Sequence, residues 1–68
     1  MENIHLRFKE IRQMHGLTQA EMASKLGMLQ PAWARLENGK VPDPRCSTIF
    51  ELCEQFNVDA NWLLGLKK

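Results

Sequence analysis

Cys46, Cys53, His5 and His15 are the side chains of this 68-residue chain best suited to ligate a metal or carry redox chemistry. The cysteines are seven apart, so on one helix they share a face about 10 Å apart along the axis, too far for a disulfide. The histidines lie in another segment and lack the spacing of zinc ligands. No nucleophile stands with a matching base, and a chain this short has little room for a cleft beside its own core. The expectation is two buried thiols in a reducing compartment, with no metal, no cofactor, no small-molecule ligand and no enzyme activity. A more specific pattern lies in residues 17–37, two short helices joined by a glycine turn and closed by Asn38-Gly39. That is a helix-turn-helix, whose expected chemistry is docking on duplex DNA.

The elements that would position this pattern are five helices, with no strand. Asn3 is expected to cap a first helix in which Ile4, Phe8 and Ile11 form one apolar stripe, ended by Gly16. Thr18 and Glu21 make a capping box at the start of the second helix, Met22, Ala23 and Leu26 face inward, and Gly27 supplies the positive φ of the turn. The third helix begins near Leu29 or Gln30, with Pro31 tolerated in its first turn. Trp33 and Leu36 face inward there, and Gln30, Pro31, Ala34 and Arg35 face outward. A stiff loop, Lys40-Val41-Pro42-Asp43-Pro44, leads to a fourth helix capped by Asp43, with a buried stripe of Cys46, Ile49, Phe50, Leu52, Cys53 and Phe56. Asp59 caps a last turn or two holding Trp62, Leu63 and Leu64, stopped by Gly65. Helices this short are marginal alone, so they must share a core. Its expected members are Phe8, Ile11, Leu17, Met22, Leu26, Met28, Trp33, Leu36, Ile49, Leu52, Cys53, Phe56, Val58, Trp62 and Leu63.

Composition fits one globular domain spanning 1–68, with 44% hydrophobic and 25% charged residues. The sequence has neither a membrane-length apolar run nor a signal-peptide pattern, which leads to a cytoplasmic expectation. Net charge is only +1, low beside the basic footprint usual for nucleic-acid binders. The charge is split, however. Residues 1–40 hold six basic side chains (Arg7, Lys9, Arg12, Lys25, Arg35, Lys40) against four acids (Glu2, Glu10, Glu21, Glu37). Residues 41–68 hold three (Arg45, Lys67, Lys68) against four (Asp43, Glu51, Glu54, Asp59). The basic excess falls on the half that carries the helix-turn-helix.

Gly16-Leu17-Thr18-Gln19-Ala20-Glu21, Leu26-Gly27, Gln30-Pro31-Ala32, Arg35-Leu36-Glu37-Asn38-Gly39-Lys40 and Val58-Asp59-Ala60-Asn61-Trp62-Leu63-Leu64-Gly65 together resemble the phage-repressor and Cro-like helix-turn-helix family of bacteria and their phages. The resemblance covers residues 5–65. It implies an all-α, compact five-helix fold of the lambda-repressor type that sets its third helix in the major groove. It also implies binding as a symmetric homodimer to an operator of two half-sites. In that family frame Gln19 is similar to a phosphate-contacting glutamine and Gln30 to the first base-reading residue, and an amide there can pair with adenine N6 and N7.

Arg35, on the same exposed face, is the next base candidate, since a guanidinium matches guanine O6 and N7, with a phosphate as its other target. Pro31, Ala32 and Ala34 offer no side-chain donor and could only pack on a base, as on a thymine methyl. Lys40, Arg45 and Lys25 are phosphate candidates, Arg45 at the start of the fourth helix where the dipole already attracts anions. Arg12 and Glu37 occupy positions that in the family form an ion pair joining the first helix to the end of the third. Trp62, Leu63 and Leu64 are read as either core or dimer seam.

Two residues depart from the family pattern. Leu29 stands where Ser or Thr commonly caps the third helix, which predicts a frayed or shifted start. Trp33 replaces a smaller aliphatic residue, which predicts a widened core or an emerging indole edge. The leading functional expectation is a transcriptional regulator, most simply a repressor acting by operator occupancy, of phage, prophage or restriction-system origin. An antitoxin that binds its operator and a toxin, and a protein-interaction module that has lost the DNA, stay open as alternatives.

Overall fold

The computed structural model describes residues 3–66. Among them are five helices and no strand: α1 (Ile4–Met14), α2 (Gln19–Lys25), α3 (Gln30–Glu37), α4 (Cys46–Phe56) and α5 (Ala60–Leu63). The fold is all-α, with the five helices that the resemblance implies. None of these helices is long and apolar enough to cross a membrane.

The apolar stripe of α1 buries Ile4, Phe8 and Ile11. Its start differs from expectation. Asn3 sits at φ 64° and makes no side-chain cap bond. A capping side chain reaches the free N–H groups from an extended backbone, so the left-handed conformation takes the amide out of range. The Asn3 carbonyl still accepts from Leu6 N at 3.0 Å. The start of α2 is locally complete: Glu21 N donates to Thr18 Oγ1 at 3.1 Å, and Thr18 N donates to Glu21 Oε1 at 2.9 Å. Those bonds from Thr18 hold the Glu21 carboxyl below the usual carboxylate range.

Gly27, at φ 69°, makes the turn into α3, a conformation that costs glycine little and other residues more. Leu29 then occupies the N-cap with extended backbone and no side-chain bond. The helix is not shifted, because Ala32 N and Trp33 N both donate to the Leu29 carbonyl, at 3.0 and 3.2 Å. The missing cap is a local deficit, and Leu29 is 78% exposed. Leu29→Ser should therefore stabilise the domain by about 1 kcal/mol and raise Tm by roughly 4–8 °C. A calorimetric melt with unchanged or lower Tm would contradict the uncapped start.

Two expectations for α4 are corrected. Its N-cap is Arg45, without a side-chain bond, and the helix begins at Cys46, so Asp43 does not cap it and Pro44 is not its first residue. The Pro44 ring is buried. The chain thus forgoes a cap worth about 1 kcal/mol and removes an apolar ring from water instead. Cys46 and Phe50 are exposed and leave the buried stripe. At 100° per residue, Phe50 points about 110° away from the centre of the inward face formed by Ile49, Leu52, Cys53 and Phe56. Cys46 is one turn before that face begins. The thiols are thus one exposed and one half-buried, and burial is the main reason the Cys53 thiol is pushed up.

The core gathers Ile4, Phe8, Ile11, Met22, Ala23, Trp33, Leu36, Leu52 and Leu63. Leu17, Leu26, Met28, Ile49, Cys53, Phe56, Val58 and Trp62 pack against it half-buried. Trp33 is wholly buried, its ring 5.7 Å from that of Phe8 and tilted by 59°; no indole edge emerges. Leu63 is fully buried within the monomer, so it cannot line a seam between two copies. α3 packs on both α1 and α2, and α1 also meets α5. Helix α3 is held from behind on two sides.

Candidate nucleic-acid interface

Helix α3 turns Trp33, Leu36 and Glu37 inward. Gln30, Pro31, Ala32 and Arg35 stay exposed, while Ala34 is half-buried. Ala34 therefore sits nearer the shoulder of the exposed face than its crest. At the N-terminal end of that face Gln30 Nε2 donates to Gln19 Oε1 at 2.8 Å. Gln19 is the first residue of α2, so the tight turn at Gly27 brings the starts of the two helices together.

Behind this pair lies a buried carboxylate. Glu37 is 5% exposed, a position that would be costly for an isolated charge. Four donors converge on it. Arg12 Nε donates to Oε2 at 2.5 Å, and Arg12 Nη2 to Oε1 at 3.1 Å. Gln19 Nε2 donates to Oε1 at 3.2 Å, and the indole N–H of Trp33 donates to Oε2. A carboxylate has about four acceptor sites, so its capacity is filled. Arg12 spends its remaining nitrogen, Nη1, on the Leu17 carbonyl at 2.9 Å. Arg12 and Glu37 are thus a part-buried ion pair between α1 and α3.

Burial pushes the Glu37 carboxyl up, but the hydrogen bonds from Arg12, Gln19 and Trp33 and the charge of Arg12 more than offset it, leaving it below the usual carboxylate range. The same bond to Glu37 chiefly raises the Arg12 guanidinium. Both groups are charged across the neutral range, and no buried side-chain nitrogen or oxygen among the described residues lacks a partner.

The other predicted residues are less tightly grouped. Lys40 is exposed just beyond α3, where its backbone N–H bonds the Arg35 carbonyl at 3.0 Å. Arg45 is exposed at the N-cap of α4. Lys25 is not brought to the Gln19–Gln30 pair: it lies six residues further along α2, about 9 Å down the axis. Its backbone carbonyl accepts from Gln55 of α4 at 2.9 Å. Trp62 is half-buried, with the Arg7 guanidinium 5.2 Å from its ring centroid and bonded to its carbonyl. Among the described residues, no group of three or more His, Cys, Asp or Glu is placed to hold a metal ion.

A family model described as a helix-turn-helix domain matches residues 6–68. The chain belongs to that family. The match takes in all of α2 and α3 and the residues behind them. Membership supports a DNA-binding regulator as the coarse function of this helix-turn-helix domain. Trp33 is the participant to which sequence reasoning gave no polar role, reading it as core or as an emerging indole edge. Its signal was the spacing to Glu37, since residues four apart on a helix are neighbours on one face.

Proposed function

We propose that this helix-turn-helix domain is a sequence-specific DNA-binding regulator of transcription, most simply a repressor that occupies its operator as a homodimer with α3 in the major groove. The observation that carries the reading is the exposed Gln30 amide held by Gln19 on a buried, charged anchor. Both amides keep donors and acceptors for a ligand. Gln30 spends one N–H on Gln19 and keeps one N–H and its carbonyl oxygen, the complement of adenine N7 and N6. Gln19 spends one N–H on Glu37 and keeps the other for a phosphate oxygen. Arg35 reads a second base, Pro31 and Ala32 pack on base methyls, and Lys40 and Arg45 hold the backbone. The described residues extend 30 × 24 × 20 Å, which suits one copy per half-site at a centre spacing of about 34 Å.

The test is binding to random duplex, and to duplexes selected from a random pool, as salt is varied. The domain should bind random duplex at about 50 mM salt and lose affinity steeply by 200 mM. Lys40→Ala should weaken selected and random duplexes alike and reduce the log–log salt slope by about 0.9. Absence of binding at the lower salt would point to a protein-interaction module instead.

A further inference from the structure

We propose that Trp33 is a positioning residue for base reading: its indole N–H holds one oxygen of Glu37 and so fixes the other for Gln19, which orients Gln30. The inference rests on the base-reading role given to Gln30 above. Trp33 lies three residues beyond Gln30 and four before Glu37, on the same helix. It is fully buried against Phe8 and has only two side-chain torsions, so packing alone fixes where its N–H points. The terminal torsion of a glutamate is soft. The Arg12 fork sets the carboxylate plane relative to α1, but Arg12 is a long side chain on a different helix. Trp33 is the donor that ties Glu37 to the reading helix itself.

The donors divide evenly: Arg12 Nε and the indole on Oε2, Arg12 Nη2 and Gln19 Nε2 on Oε1. Without the indole N–H, Oε2 has a vacant acceptor site in a dry surrounding, where an unmet group seeks another partner. Rotation of the carboxylate toward the remaining donors then lengthens the bond to Gln19. Gln30 loses its fixed partner in turn, and its amide samples several orientations. The cost falls chiefly on discrimination at the base pair that Gln30 reads, and the phosphate contacts given to Lys40 and Arg45 are untouched.

The test replaces Trp33 by 3-benzothienylalanine through chemical synthesis of the 68-residue chain, which keeps the ring shape and removes the N–H. Trp33→Phe, made by expression, serves as a second variant. Wild type is carried through selection from a random duplex pool, and Gln30→Ala identifies the base pair that Gln30 reads. The isosteric variant should melt as a folded helical domain and lose about three- to tenfold in discrimination at that one pair. Its salt slope should match wild type, because Gln19 carries no charge, its affinity for random duplex should fall by much less than its discrimination at that pair, and Trp33→Phe should lose discrimination at the same pair. Unchanged discrimination in the isosteric variant overturns the proposal, as does an equal loss on every duplex, which would mark Trp33 as packing only. If Gln30→Ala relaxes no base pair, the base-reading assignment itself is overturned and the role of Trp33 falls with it.

Discussion

Glu37→Gln is expected to destabilise the domain by about 3–5 kcal/mol, the cost of breaking a buried ion pair from one side. The native carboxylate accepts from Arg12, Gln19 and Trp33 together. An amide offers one acceptor oxygen where four donors converge, and its own NH2 must face some of them. The Arg12 guanidinium, only 16% exposed, then keeps its charge without a counterion. Domains of this size sit at the low end of the 5–15 kcal/mol range of stability, so the substitution consumes most of the margin. Urea titration followed by circular dichroism reads the effect. A loss below about 1 kcal/mol would mean the pair behaves as two solvated surface charges. Replacing Arg12 and Glu37 together by apolar residues of similar volume should recover much of the stability, yet leave Gln19 without its anchor.

The same carboxylate predicts the acid limb of the stability curve. Glu37 titrates below its unfolded value of 4.5, and so does Glu21. A carboxylate with a depressed folded pKa contributes stability that is complete above the unfolded value and is lost as pH falls through the folded one. The domain should therefore hold its stability down to about pH 4.5 and lose it progressively below. Glu21 is exposed and its share is small; Glu37 is almost wholly buried and supplies the larger part. In Glu37→Gln, what stability remains should depend less on pH over that window. An unaltered acid slope would assign the titration elsewhere.

The parts of the fold that could be read in advance are those decided within a few residues. Thr18 and Glu21 satisfy each other's free N–H groups, and Gly27 and Gly39 turn the chain at positive φ. Neither needs a distant partner. Caps assigned by residue type alone were less secure. Asn3 and Asp43 have the right side chains, but the backbone conformation at one and burial of Pro44 beside the other set the helix starts. On α4 the apolar residues outnumber the positions one helix face can bury, and Phe50 is left in water.

The site divides in the same way. Which residues are exposed on α3 follows from helical period. The bond between Gln19 and Gln30, and the meeting of Arg12 and Gln19 on Glu37, join residues 11 to 25 positions apart. No local rule reaches that far. The family resemblance supplied the Arg12–Glu37 pair, whose family members carry a smaller residue at the position of Trp33, and so it gave no notice of the fourth donor.

Gln30→Ala should leave the fold intact, because the side chain is exposed and carries no buried group. Its expected effect is on recognition. Loss of a bidentate pair to a base edge costs about 1–3 kcal/mol of discrimination, a factor of roughly 5–150 at one base pair. Random duplex should bind nearly as before, since nonspecific affinity comes from charge and the substitution removes none. The truncated side chain also releases Gln19 Oε1, while Gln19 keeps its hold on Glu37 and its second N–H for a phosphate. Losses confined to one position of the selected site, with an unchanged salt slope, would make Gln30 a base reader. A uniform loss on selected and random duplexes would instead make it a support for the phosphate contact of Gln19, and base reading on α3 would then fall to Arg35.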